Sequence, residues 1–264
     1  MILTPAGTQD DSMIASAQDA LRLLQSDDFM LRRMAISSRW LPMRILASLR
    51  NDPNGAIRTA VAGNPQAEPG WLQAYAQDRN EWIRAAVAAN PAAGQQVLAD
   101  LALDEQWWVR MGVAMNPGAG EEILARLVDD PMPEVRMALA SNPSCPLACL
   151  QRLAGDPSAD LREAVAENPR ADGRLLAQLA QDQGDWLIRW TVADRADAPA
   201  QVLAALASDE QMEVRQAVAA NPSTPLDALG ALALDEQVQV RQAAHRNPTS
   251  DAEVRAAAVL MGLG

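Results

Sequence analysis

The chain has no lysine at all, one phenylalanine, one tyrosine, one histidine and two cysteines. Each shortage excludes something. Without lysine there is no Schiff-base chemistry and no phosphate loop closed by a lysine ammonium; all 22 basic residues are arginine. So few aromatics argue against a β-sandwich or barrel, whose strands are built from β-branched and aromatic residues. The two cysteines, Cys145 and Cys149, are too few for a disulfide framework. No apolar run is long enough to span a bilayer. The first ten residues lack the basic stretch and apolar core of a signal peptide, so a soluble cytoplasmic protein is expected.

What remains is rich in Ala, Leu and Val and carries a net charge of −12 over 264 residues. Alanine is the best helix former and lets helix backbones approach closely. The acidic balance repels a phosphate backbone unless positive charge is segregated onto one face, which argues against nucleic acid as partner.

The dominant signal is self-similarity. Asn-Pro recurs at Asn64, Asn90, Asn116, Asn142, Asn168, Asn221 and Asn247, in steps of 26 residues except for one gap of 53. Arg195 fills the missing place, after one inserted residue near Gly184. Six residues before each such site stands an arginine, Arg58, Arg84, Arg110, Arg136, Arg162, Arg189, Arg215 and Arg241, and Arg32 opens the series one step earlier. Before these arginines stand Asp52, Asp78, Asp104, Asp130, Asp156, Asp182, Asp209 and Asp235, with Ser26 in the first register.

Each repeat reads as two short helices. The first carries leucines three apart on one face, as in Leu98 and Leu101, Leu150 and Leu153, or Leu229 and Leu232. It often opens with proline as its first residue, as at Pro225. The second runs from about Glu134 to Ser141 in one copy, with Val135, Ala138 and Leu139 as its buried stripe. It must stop at Asn142, because the residue before proline is pushed out of the α region. Helices of about ten residues do not stand alone in water, so the repeats must stack to bury their apolar faces. The expected architecture is an all-α, right-handed solenoid of about nine two-helix repeats forming one domain over 1–264. Residues 1–11 are expected to be a flexible N-terminus, 12–25 an opening cap helix, 26–250 the repeats and 251–264 a closing cap helix.

The Asp and Arg series predict a structural ladder. The pairs are Asp52 and Arg58, Asp78 and Arg84, Asp104 and Arg110, Asp130 and Arg136, Asp156 and Arg162, Asp182 and Arg189, Asp209 and Arg215, and Asp235 and Arg241. Stacking brings each guanidinium near the aspartate of its own repeat and that of a neighbour, and arginine can fork two carboxylate oxygens. A pair present in nearly every repeat is not a catalytic constellation, since catalysis needs one distinctive place. The asparagines read as helix stop and turn chemistry.

Units such as Asp130-Pro-Met-Pro-Glu-Val-Arg-Met-Ala-Leu-Ala-Ser-Asn-Pro143 resemble the bacterial leucine-rich repeat variant family and are similar to HEAT-like repeats. The resemblance covers roughly residues 26–250. It implies a right-handed superhelix in which one helix of each pair can be a 3₁₀ helix, and it implies no activity. One type in that family holds an iron–sulfur centre in an N-terminal cysteine cluster. No cysteine precedes Cys145, so that cofactor is not carried over, and none is expected.

In such arrays one helix per repeat lines a concave side that binds extended partners. Taking the second helix as the lining, its outward positions lie one and five residues after the ladder arginine. Two stretches of the second helices depart from small residues. Trp107, Met111 and Met115 are spaced by four, and Trp82, Trp108 and Met137 occupy neighbouring repeats. Trp186 and Trp190, again four apart, lie in the repeat with the insertion. Trp anchors and adaptable Met are frequent at protein-binding surfaces. Two readings stand, an exposed apolar stripe or core packing, and exposure separates them. Cys145 and Cys149 align with Thr224 and Ala228 and read as small packing residues; a lone His245 makes neither a metal site nor a triad. No metal site is expected.

The leading expectation is therefore a non-enzymatic scaffold or adaptor that binds a protein or peptide along the concave face. The alternative is nucleic-acid binding or base processing through an N-terminal arginine cluster of Arg33, Arg39, Arg44, Arg50 and Arg79. An enzyme on a repeat scaffold has no constellation to support it.

Overall fold

The computed structural model describes residues 14–262. Among them every regular element is an α-helix. The chain divides into two compact units, 1–146 and 147–264. The expected flexible segment 1–11 lies outside the described residues.

Unit 1 opens with α1 (Ala17–Leu24) and α2 (Phe29–Ser37). Four repeats follow as helix pairs: α3 (Met43–Leu49) with α4 (Gly55–Ala62), α5 (Pro69–Tyr75) with α6 (Glu81–Ala88), α7 (Gln95–Leu101) with α8 (Trp107–Met115), and α9 (Glu121–Ala125) with α10 (Pro133–Ser141). The second helices pack in series, α2 on α4, α4 on α6, α6 on α8 and α8 on α10.

Unit 2 holds α11 (Leu147–Leu153) with α12 (Ala159–Glu167), α13 (Gly173–Leu179) with α14 (Trp186–Asp194), α15 (Ala200–Leu206) with α16 (Met212–Ala220), and α17 (Leu226–Leu232) with α18 (Val238–Arg246), closed by α19 (Ala252–Leu260). Here too α12, α14, α16 and α18 pack in series, and α19 covers α17 and α18. The molecule is thus an all-α array of two-helix repeats in solenoid fashion. Both helices of each pair are α-helical, so the 3₁₀ alternative is not taken by any described helix.

These helices form here because both ends are specified. Asn54, Asn80 and Asp185 accept the N–H two residues on, capping α4, α6 and α14. Asparagine before proline ends α8, α10, α12, α16 and α18 in extended backbone. The expected opening helix from Ser12 instead begins at Ala17, because the Ser16 hydroxyl caps it through the Asp19 N–H. Pro225 sits one residue earlier than expected, as the N-cap of α17.

The core is a column repeated from pair to pair. Leu98, Leu124, Leu150, Leu176, Leu203 and Leu229 hold one position on the first helices and are buried. On the second helix of the α9–α10 pair, Val135 and Leu139 are buried as expected. The third member of the stripe is Ala140 rather than Ala138, which stays partly exposed. The equivalent Ala114 on α8, Ala166 on α12 and Ala193 on α14 are likewise buried. Each buried leucine contributes about 1.5–3 kcal/mol, and only stacking buries it.

Candidate functional site

Two ladders run through each unit. Every second helix places the ladder arginine at its fourth residue, as Arg84 in α6 or Arg215 in α16. Its Nη1 donates back to the carbonyl of its own repeat's aspartate, Arg84 to Asp78 at 2.9 Å and Arg215 to Asp209 at 2.8 Å. Its Nε and Nη2 then fork the aspartate carboxylate twenty residues on. Arg84 grips Asp104 at 2.6 and 3.0 Å, and Arg110 grips Asp130 at 2.6 and 3.0 Å. In unit 2 the same fork joins Arg162 to Asp182, Arg189 to Asp209 and Arg215 to Asp235. Arg58 makes the looser version, one contact to Asp78 at 3.4 Å. Each aspartate also accepts the N–H two residues later, as Asp104 from Gln106. One side chain therefore orders its own turn and receives the previous repeat.

The electrostatics follow. Burial alone would raise the Asp130, Asp182, Asp209 and Asp235 carboxyls, but the guanidinium and backbone N–H bonds outweigh it and hold them below the ordinary carboxylate range. Hydrogen bonding to the partner aspartate raises Arg84, Arg110, Arg162, Arg189 and Arg215. The inserted residue in unit 2 is absorbed in the turn: Asp182 accepts from both Gly184 and Asp185, and Arg189 still reaches the Asp182 carbonyl at 2.7 Å.

The second ladder goes beyond the local turn chemistry expected of the asparagines. Asn90 Nδ2 donates to the carbonyls of Ala62 and Asn64, and Asn116 Nδ2 to those of Ala88 and Asn90. In unit 2 Asn221 reaches Ala193 and Arg195, and Asn247 reaches Ala219 and Asn221. Each amide thus satisfies the alanine carbonyl left open at the end of the previous second helix and adds a second donor to the carbonyl two residues on, which already accepts a backbone N–H. Invariant spacing was the one signal in the sequence that could have pointed to it.

The candidate binding residues lie on the second helices. In unit 1, Trp82 is 47% exposed and Met115 39% exposed, while Trp107, Trp108, Met111 and Met137 are partly exposed. Trp82 and Trp108 stack with ring centroids 5.6 Å apart, and Trp107 meets Trp108 edge-on at 5.7 Å. Gly112 lets α8 lie close on α6 beneath them, since a Cβ there would stand 3.0 Å from Ala88 Cβ. The Trp108 indole N–H is buried without an acceptor among the described residues. In unit 2, Trp186 is 38% exposed and Trp190 partly exposed.

Arg33, Arg39, Arg44, Arg50 and Arg79 are exposed. Arg39 lies over the exposed Trp40 ring at 5.1 Å and Arg50 over Trp71 at 5.9 Å. Cys145 and Cys149 are buried and form no disulfide with each other. Two cysteines do not supply the four thiolates of an iron–sulfur cluster, and no group of His, Cys, Asp and Glu suited to a metal ion occurs among the described residues. No helix among them is long and apolar enough to cross a membrane.

The leucine rich repeat variant family model matches residues 133–158 and 212–237, that is, α10 with the turn after α11, and α16 with the turn after α17. A solved structure described as a leucine-rich repeat variant with a novel repetitive protein structural motif is similar at 26% identity. It covers 77% of this chain and 82% of its own, with a TM-score of 0.52. The Escherichia coli YibA structure (16% identity, 89% and 97% covered, TM-score 0.34) overlays too loosely to carry an argument. So do computationally designed armadillo repeat proteins for modular peptide recognition (16% identity, 92% and 96% covered, TM-score 0.19). Comparison with curated proteins gives no match. The chain is a helical repeat protein that carries the leucine-rich repeat variant motif.

Proposed function

We propose that the chain is a non-enzymatic scaffold or adaptor that binds a protein or peptide on the face formed by its second helices. The reading takes 1–264 as one repeat domain working in the cytoplasm without a cofactor. The observation that carries it is the exposed Trp82 ring stacked on the partly exposed Trp108, with the exposed Met115 on the same second helix as Trp108. An exposed indole costs solvation unless a partner covers it, and Trp with Met is the side-chain chemistry of binding anchors. The titratable groups of the ladders are spent on structure in repeat after repeat, which supports a binding role over catalysis.

Affinity capture with wild type and with Trp82→Ala plus Met115→Ala tests the reading. The double variant is expected to keep its helical circular dichroism and lose a partner that wild type retains. Equal recovery of every partner by both overturns it.

A second reading, nucleic-acid binding, has one observation in its favour. Residues 29–51 carry five arginines and no acidic residue, and Arg39 stacks on the exposed Trp40. Arginine with an aromatic platform suits single strands. A salt-titrated assay with single-stranded DNA that shows no affinity at low salt removes it.

A further inference from the structure

Unit 2 presents a different surface on its second helices. On α12, Asp160, Glu163 and Glu167 follow a three–four spacing and share one helical face. On α14, Trp186, Trp190 and Asp194 are spaced by four and likewise share a face, and α12 packs on α14. Glu163 and Trp190 each stand one residue after their ladder arginine, and Glu167 and Asp194 each stand five after. The two helices therefore set these side chains in matching rows.

The face has acid and indole but no cation of its own. Asp160, Glu167 and Asp194 are exposed. The arginines on the two helices, Arg162 and Arg189, are committed to Asp182 and Asp209 in the ladder. The ion pairs that Arg162, Arg189, Arg195 and Arg215 make in unit 2 go to Asp182, Asp209, Asp197, Asp235 and Glu236, not to the face carboxylates. The charge is felt inside the cluster: burial raises the Glu163 carboxyl, and the charges of Glu167, Asp185 and Asp160 raise it further. Thr191, 7% exposed on α14, lies beside Glu163, and its hydroxyl finds no hydrogen bond of good geometry.

We propose that this face of unit 2 binds an arginine- or lysine-rich segment of a partner protein, with Glu163, Glu167 and Asp194 as anionic rows and Trp190 as the ring beneath a cation. Carboxylates beside a partly exposed indole match the chemistry of guanidinium and ammonium recognition. The carboxylates do not converge into a metal-binding group, which favours the spread charge of a basic segment over a bound ion. Anionic lipid and nucleic acid would be repelled. The inference deepens the scaffold reading and rests on it, naming the charge class of a partner on the second-helix face.

Titration calorimetry at low salt, with the full chain and an acetylated hexa-arginine amide, tests it. Hexa-citrulline of the same length serves as the uncharged counterpart. Hexa-arginine is expected to bind with an affinity that falls as salt rises, and hexa-citrulline not to bind. Glu163→Gln plus Glu167→Gln should weaken binding about tenfold. Trp190→Leu should weaken it about threefold to tenfold and reduce the indole fluorescence change. Glu122→Gln plus Asp227→Asn removes the same two charges from exposed first-helix positions and should change binding less than about threefold. No hexa-arginine binding by wild type overturns the proposal. So does a control variant that loses as much as the Glu163 and Glu167 pair, because that would mean net charge alone attracts the peptide. The Trp82 and Met115 variant separates the two readings. If it loses its captured partner yet still binds hexa-arginine, the unit 1 anchor and the unit 2 face are independent. If capture depends on Trp82 while hexa-arginine binds nowhere, the scaffold reading stands and this inference falls.

Discussion

Arg195 holds its Nη1 2.8 Å from the carbonyl oxygen of Asn168, and the same nitrogen donates to the Ala166 carbonyl at 2.8 Å. Those are the two bonds that an asparagine amide makes at this position in the other repeats. The longer side chain has two further nitrogens to place, and Nε and Nη2 fork Asp197 at 2.8 Å each. The break in the Asn-Pro pattern is therefore a change of donor and not a break in the ladder.

Arg195→Ala should strand the Ala166 carbonyl at the end of α12, while the Asn168 carbonyl keeps the Ala171 N–H. An unsatisfied buried carbonyl costs about 1–3 kcal/mol. Arg195→Asn restores the amide that Asn221 uses in the next repeat, and should stay within about 1 kcal/mol of wild type. Urea unfolding measures both. An Asn variant as unstable as the Ala variant would show that Arg195 acts through Asp197 instead.

Asp130→Ala should be far more harmful than Asp52→Ala. Asp130 receives the Arg110 fork, and its loss leaves a partly buried guanidinium unpaired, at a cost of about 3–5 kcal/mol. The Asp52 carboxylate receives no arginine side chain among the described residues. It caps its turn through the Asn54 N–H and offers its carbonyl to Arg58, so removing its carboxylate should cost about 1 kcal/mol. Thermal melting of the two variants decides, and equal shifts would refute the ladder as a source of stability.

Acid should loosen the ladder in a defined window. A carboxyl held below its ordinary value contributes stability that is fully present above the unfolded aspartate value of about 3.9. That stability is lost as pH falls through the lowered folded value. For Asp130, Asp182, Asp209 and Asp235, the melting temperature should hold from neutrality to about pH 5 and fall steeply below about pH 4. The raised arginines contribute nothing to this window, because they stay protonated throughout it. Glu163 has the opposite sign: its raised carboxyl opposes folding above the unfolded glutamate value. Glu163→Gln should accordingly raise the melting temperature at pH 7, with the gain shrinking toward pH 4. A destabilised Gln variant at pH 7 would contradict the uncompensated charge on that face.

The last rung is incomplete. Arg241 is 9% exposed, its Nε has no partner among the described residues, and its Nη2 reaches only the Gly262 carbonyl at 3.3 Å. Met261 stands twenty residues on, where other rungs carry aspartate. Met261→Asp should add a partner and stabilise the C-terminal end by about 1 kcal/mol or more. Hydrogen exchange of α18 and α19 reads it locally, and unchanged protection there would mean that the end of α19 holds position 261 out of reach.

Much of this was legible because the repeat spacing is rigid. Asp and Arg six apart, with a 26-residue step, put each arginine within reach of two aspartates. The sequence did not distinguish which aspartate gives its carboxylate and which its backbone carbonyl, since both lie at the same turn. Asn116 was legible only as a helix stop. Its amide meets Ala88 and Asn90, 28 and 26 residues back, and a contact of that range leaves no trace in local pattern. Trp82 and Trp108, one repeat apart, were expected to be neighbours. That they stack while Trp82 stays open depended on how closely α8 settles on α6 over Gly112.

The amino-acid order by itself determined the helices, their ends, their number per repeat and the chemistry available at each register. Propensity, capping and proline act within a few residues, and periodicity carries them along the chain. Tertiary structure alone decided which polar atoms meet across repeats and which side chains remain bare. A hydrogen bond between stacked helices, or the exposure of a ring, depends on distances set by packing. The paired carboxylates of α12 and indoles of α14 became a surface only when the two helices lay side by side.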